Sequence, residues 1–164
     1  WHHDHNQICL NTIPSQENDH LYGCGSLYYD WSAKTTIELE NGETKIHVPE
    51  REYKPKETEF TIFNEKFSNT VFEEIYTLLT EKYNIGRVRL MQSSPQTCLT
   101  WHKDDSKRIH LPIKTNPGCQ MVIENQVQHM PAGTWWLTNT LLPHTAFNAS
   151  KESRIHIVAV LLDG

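Results

Sequence analysis

No stretch of the 164 residues approaches the roughly 20 consecutive apolar side chains that a bilayer-spanning helix requires, so no membrane partner is expected. An excess of positive charge is also missing. Lys and Arg number 15 against 20 Asp and Glu, a formal net charge of −5. The one basic cluster, Arg51, Lys54 and Lys56, is interrupted by Glu52 and Glu57, so nucleic acid is not expected as a partner. Cys9, Cys24, Cys98 and Cys119 form no C-x-x-C pair, and no secretory leader is in view. They therefore read as reduced thiols of a cytoplasmic protein. The chain opens on Trp1 rather than Met, which leaves an upstream segment open. Asn148-Ala149-Ser150 matches the glycosylation acceptor pattern, a coincidence in a cytoplasmic setting. There is no internal repeat or low-complexity tract, and nothing in the pattern sets an oligomeric state.

What is present reads as a single domain over residues 1–164, mainly β. In the N-terminal part, residues 1–86, Ile37, Leu39, Ile46 and Val48 alternate about Asn41-Gly42, which predicts a β-hairpin over 36–48 closed by a type I′ turn. Phe60 and Ile62 predict a short strand. Thr70-x-x-Glu73 is a capping-box pattern, and Val71, Ile75, Leu78 and Leu79 follow helical period, which predicts a helix over 70–84 ended by a left-handed residue within 84–86. Across residues 87–164, short β-prone segments punctuated by Gly, Pro and Asn predict strands at 87–93, 97–102, 108–114, 119–124, 127–130, 134–138, 144–148 and 153–162. Such a series predicts a jelly roll or barrel with the helix packed on it.

The chemistry concentrates in the segments TWHKDD, LPHTAF and KESRIHIV. Residues at i and i+2 of a strand project to one side, so His102 and Asp104 can grip one ion and His144 can close the set from another strand. Two histidines and a carboxylate on one face leave coordination positions open, the ligand pattern of non-heme Fe(II) oxygenases. The other H-x-D, His2-His3-Asp4, lies in the run WHHDH with no apolar alternation around it and reads as a terminal tract. Strand alternation puts Ile109, Leu111 and Ile113 on one side of their strand and Arg108 with His110 on the other. It likewise sets Ile155, Ile157, Ala159 and Leu161 opposite Arg154 and His156. Unpaired buried guanidinium is costly, so inward arginines call for anionic partners such as a dicarboxylate.

RIHLPIKTNPGC, HMPAGTWWLTNTLLPHTAFNAS and SRIHIVAV resemble the core of the aspartyl/asparaginyl β-hydroxylase and proline hydroxylase group of 2-oxoglutarate oxygenases. The resemblance runs from about Val88 to Leu162. It rests on H-x-D, R-x-H, G-x-x-W before the distal P-H, Asn148 four residues after that His, and Arg154 ten after it. It implies a double-stranded β-helix, Fe(II) held by His102, Asp104 and His144, and 2-oxoglutarate and O2 as cosubstrates. Arg154 would hold the distal carboxylate of 2-oxoglutarate, with Arg108 and His110 near a cosubstrate or substrate carboxylate. A hydroxyl-bearing support for 2-oxoglutarate in some relatives falls on Met91 here, with Gln92 or Ser93 as replacements. The implied reaction is hydroxylation of a C–H bond in an amino acid, free or within a peptide. Trp101 and Trp136 are barrel core or rim, or else walls of the substrate pocket; Asn148 either fixes a turn or bonds near the site. His156 reads as a satisfied core histidine and Asp105 as a solvated acid. Two further readings stay open: a cupin-type metalloenzyme that does not use 2-oxoglutarate, and a non-catalytic metal-binding barrel.

Overall fold

The computed structural model describes residues 6–30 and 33–163. Its strands are β1 (Gln7–Cys9), β2 (Asn11–Thr12), β3 (Thr35–Glu38), β4 (Thr44–His47), β5 (Ile62–Phe63), β6 (Ile85–Ser93), β7 (Thr97–Cys98), β8 (Arg108–Lys114), β9 (Cys119–Ile123), β10 (Gln126–Gln128), β11 (Trp136–Thr138), β12 (His144–Asn148) and β13 (Arg154–Leu161). One helix, α1 (Val71–Lys82), precedes β6. A five-stranded sheet ordered β1-β6-β13-β8-β11 faces a four-stranded sheet ordered β10-β9-β12-β7, and the pairings are antiparallel. This is the double-stranded β-helix, or jelly roll, with a helix on its outer face.

Period-2 alternation explains how each strand of the large sheet serves two compartments. Val88 of β6, Ile109 and Leu111 of β8, and Ile157, Ala159 and Leu161 of β13 meet Leu79 of α1 in the main core. Arg89 and Met91, Arg108 and His110, and Arg154, His156 and Val158 take the opposite face and turn into a cavity. Ile113, near the end of β8, lies outside this core and is exposed.

The helix starts as its sequence implies: Thr70 caps it, its hydroxyl accepting from the Phe72 amide at 3.2 Å. Glu73 reaches back one residue further than a capping box requires and accepts from the Asn69 amide at 2.7 Å. The buried stripe is Phe72, Ile75, Tyr76 and Leu79, not Val71 and Leu78, which are exposed. No residue of 84–86 is left-handed; Tyr83 ends the helix in extended backbone, and the chain enters β6 within two residues. The hairpin exists as β3 and β4, but its turn differs from the expected one. Only Gly42 has positive φ, 81°, and Gly42 N bonds to Leu39 O at 2.9 Å, the three-residue loop with a G1 bulge. Both strands are exposed throughout and, among the described residues, pair only with each other.

The N-terminal segment is locked onto the barrel by buried polar groups. Asn11, fully buried, donates to Phe60 O at 2.7 Å and Gly86 O at 2.9 Å, and accepts from Val88 N at 2.7 Å. Arg87 forks onto Glu57 with Nη2–Oε1 at 2.7 Å, and its Nη1 donates to Gly23 O at 2.6 Å and Gly25 O at 3.0 Å. Gly86 permits this approach, since a Cβ there would stand 2.9 Å from the Glu57 backbone oxygen. The thiols are all free, Cys9 and Cys24 included. No helix of the described residues is long and apolar enough to cross a membrane.

Candidate functional site

Residues from both sheets line a cavity of about 230 Å³ that holds His102, Asp104 and His144. The expected strand 97–102 is interrupted: β7 stops at Cys98, and His102 rejoins the sheet only as an isolated bridge to His144. Their amides and carbonyls exchange bonds of 3.0 and 2.8 Å, which sets the two imidazoles with centroids 4.3 Å apart and planes tilted by 51°. Asp104 therefore does not arrive by strand alternation. It sits in the following loop, its amide donating to Thr140 O at 2.9 Å. The Asp104 carboxylate lies 3.9 Å from His102 Nε2 and 3.7 Å from His144 Nε2.

The three donor atoms lie within 4.8 Å of one another. Two donors sharing an ion through bonds of about 2.0–2.2 Å stand no more than about 4.4 Å apart, so small side-chain movements complete the set. The ring orientations fit a metal as well. His102 Nδ1 contacts Thr100 O at 2.7 Å and His144 Nδ1 contacts Leu142 O at 3.0 Å. A carbonyl only accepts, so each Nδ1 carries the proton and each Nε2 presents a lone pair to the centre.

Arg108 is less free than its strand position implied. Its Nε meets Asp104 Oδ2 at 3.3 Å and its Nη1 bonds to Ser106 O at 3.0 Å, so it orients the carboxylate. Arg154 is different: it is largely buried, its Nε has no partner, and burial lowers its pKa. Glu152, two residues before it in the chain, pairs instead with Lys114 at 3.1 Å. His110 and His156 meet at 3.5 Å through Nδ1, and Nε2 of each is buried without a partner. Burial and the charge of Arg154 push their pKa values down to about 3 and about 2, so both rings are neutral. His156 is thus not the satisfied core histidine that its sequence position implied.

Trp101, Trp136 and Asn148 do not line this cavity. Trp101 is 53% exposed. Trp136 packs against Met121, Met130 and Ala146, and its indole N–H donates to Thr134 Oγ1 at 2.6 Å. Asn148 is a fully buried junction whose amide donates to Ser93 O, Ser94 O and Glu152 O while its oxygen accepts from Ser150 N. That burial also removes it as a glycosylation acceptor. Met91 does line the cavity; Gln92 turns to Ser153 at 3.0 Å and Ser93 to Thr97 at 3.1 Å, so neither supplies the hydroxyl support. His2, His3 and Asp4 lie outside the described residues.

Sequence reading missed Arg89 and Gln7. Arg87, Arg89 and Met91 alternate with Val88 and Leu90, so the signal for an inward Arg89 was present in period 2. Gln7 carried none, because its place depends on β1 pairing with β6 some 80 residues away (Gln7 with Met91).

The sequence profile of the family described as Aspartyl/Asparaginyl beta-hydroxylase matches residues 69–162. An L-proline cis-4-hydroxylase of Rhizobium meliloti is 33% identical over 76 residues, which span 43% of this chain and 27% of that protein. The matched segment thus takes in little more than a quarter of that relative's length. Among solved structures, a cupin-2 domain protein of Shewanella frigidimarina aligns over 60% of this chain and 99% of its own, with TM-score 0.40 and 13% identity. A cupin domain of Bordetella pertussis aligns over 46% and 79%, with TM-score 0.41 and 14% identity.

Proposed function

The chain belongs to the aspartyl/asparaginyl β-hydroxylase family, and from that premise we propose that it is an Fe(II)- and 2-oxoglutarate-dependent dioxygenase that hydroxylates a C–H bond of an amino acid, free or in a peptide. The observation that carries this reading is the meeting, in one cavity, of a His-Asp-His donor set and an arginine without a carboxylate partner. His102, Asp104 and His144 would hold the iron, leaving positions open for the cosubstrate and O2. Iron and 2-oxoglutarate would supply the oxidising chemistry: O2 is reduced, the oxo acid becomes succinate and CO2, and C–H becomes C–OH.

The remaining work falls to the chain's own groups. Arg154 offers a planar fork to the distal carboxylate of 2-oxoglutarate. His110 and His156, neutral at physiological pH, offer uncharged ring nitrogens beside it, which avoids adding to the cations already lining the cavity, Arg89, Arg108 and Arg154. Arg108 would hold Asp104 in place through Oδ2, the oxygen that also lies 3.7 Å from His144 Nε2. The relative's name places L-proline among the substrates to be tried here. An unpartnered Arg154 argues against a cupin-type enzyme without a dicarboxylate, since nothing in such a reaction would satisfy it.

The test is succinate formation from 2-oxoglutarate with Fe(II) and ascorbate, screened over free amino acids and short peptides. Substrate-stimulated succinate release, one per hydroxylated product, is the expected result. Metal-dependent turnover of the same substrates without 2-oxoglutarate would overturn the proposal.

A further inference from the structure

Arg89 occupies a position that the cosubstrate site does not explain. Its side chain projects from the middle of β6 and the residue is only 7% exposed. Burial, and then the neighbouring charge of Arg87, bring its pKa down to about 10, so it remains a cation at neutral pH. Its bond to the protein is Nη1 to Gln7 Oε1 at 3.1 Å, an amide oxygen that also accepts from Gly25 N at 3.1 Å. Its Nε is buried without any partner. No carboxylate of the described residues is paired with it: Glu57 is taken by Arg87 and Asp104 by Arg108. A buried guanidinium left in this state is costly unless a ligand completes it.

Its location separates it from Arg154. Along the β6–β13 ladder Arg154 pairs with Ser93, while Val158 pairs with Arg89, so the two arginines stand four residues apart on the sheet, about 13 Å at about 3.3 Å per residue. Arg154 also borders a small void beside Thr115 and Cys119. Arg89 lines both the metal cavity and an adjoining cleft of about 610 Å³ bounded by Tyr28, Lys54 and Glu57. The metal cavity, about 230 Å³, is smaller than the roughly 300–1,000 Å³ of sites for drug-sized ligands. What enters beside the cosubstrate is therefore small.

Resting on the dioxygenase reading, we infer that Arg89 is a specificity-determining residue that binds a carboxylate of the primary substrate, which makes that substrate a small free carboxylic acid of the amino-acid class rather than an internal residue of a peptide. The substrate would enter through the adjoining cleft and present its carboxylate to Arg89, with its remaining carbons directed toward the metal ligands. Gln7 positions the guanidinium by holding one of its amino groups.

The experiment is anaerobic calorimetry on the Fe(II)-loaded protein, first with 2-oxoglutarate and then with the twenty free L-amino acids and their C-terminal amides. Binding of one or more acids, with the matching amides at least tenfold weaker, is expected for the wild type. Arg89→Met should lose acid binding by tenfold or more while 2-oxoglutarate binding stays within about twofold. Should Arg89→Met fail to fold, Arg89→Lys keeps the charge without the fork and should weaken the acid selectively. Equal binding of acids and amides, unchanged acid binding in either variant, or no binding by any acid where 2-oxoglutarate still binds would each overturn the inference alone. Loss of 2-oxoglutarate affinity in the Arg89 variants would reassign Arg89 to the cosubstrate and also overturn it. Failure of the wild type to bind 2-oxoglutarate would overturn the dioxygenase reading and this inference with it.

Discussion

Removing the carboxylate of Glu57 should unfold the mouth of the barrel before anything else. Arg87 is 6% exposed and takes from Glu57 three contacts of 2.7–3.0 Å, two from Nε and one from Nη2. In Glu57→Ala the guanidinium keeps only the carbonyls of Gly23 and Gly25. Breaking a buried pair from one side costs about 3–5 kcal/mol. The Glu57 side chain retains 22% exposure, so water reaches the gap and the lower end, about 3 kcal/mol, applies. At roughly 2–4 °C per kcal/mol for a chain of this size, Tm should fall by about 6–12 °C. Burial alone would raise the Glu57 pKa, but the hydrogen bonds and charge of Arg87 outweigh it and the net shift is downward. A lowered folded pKa means that the contribution is present above the ordinary carboxylate range and lost as pH falls through the folded value. Urea titrations followed by circular dichroism at pH 7 and pH 3.5 read both effects: the wild-type advantage over Glu57→Gln should shrink at the lower pH. The double change Arg87→Leu with Glu57→Leu should cost less than the sum of the single changes. Single variants within about 1 kcal/mol of wild type would refute the clamp.

Further outcomes follow from the same geometry. His102→Ala, Asp104→Ala and His144→Ala should each lose stoichiometric Fe(II) binding in anaerobic metal analysis; retention in all of them would remove the donor set from consideration. Arg154→Lys keeps the charge but not the fork, so the apparent affinity for 2-oxoglutarate should drop by about 1–3 kcal/mol, read from the dependence of succinate formation on its concentration. His156 is neutral when folded and takes a proton when unfolded below pH about 6.5, so it withdraws stability as pH falls from there toward its folded value of about 2. That slope is at most about 1.4 kcal/mol per pH unit, and guanidinium titrations at pH 7.5, 6.0 and 5.0 should show it flattened in His156→Gln.

The parts of this molecule that local pattern governs were readable. The strand Arg108–Lys114 and the strand His144–Asn148 coincide with their predicted bounds, because alternation about one buried face leaves little freedom in where they begin. Thr70 and the apolar stripe behind it announced the helix, though its orientation was misjudged by one position. That orientation depends on where the large sheet lies, which period alone does not encode. The segment 97–102 has the pattern of one strand, whereas the chain leaves the sheet after Cys98 and returns for a single bridge. Arg108 was read as free because its i,i−4 contact with Asp104 runs through a loop that follows no period. Gln7 has no local signal for a related reason: its pairing joins the start of the chain to its middle, whereas the inward turn of Arg89 is carried by the period-2 alternation of its own strand. Asn148 is the converse case, a residue with several functional-looking readings whose six polar contacts all serve the fold.

The central claim is that one cavity holds a metal through His102, Asp104 and His144 and a dicarboxylate through Arg154. Anaerobic titration of 2-oxoglutarate into metal-free and Fe(II)-loaded protein, alongside 2-oxobutyrate, which lacks the distal carboxylate, tests both halves at once. The account predicts tight binding of 2-oxoglutarate only with Fe(II) present, and binding of 2-oxobutyrate weakened to the level that 2-oxoglutarate shows in Arg154→Ala. Equal binding with and without metal, or equal binding of the two oxo acids to the wild type, would contradict it.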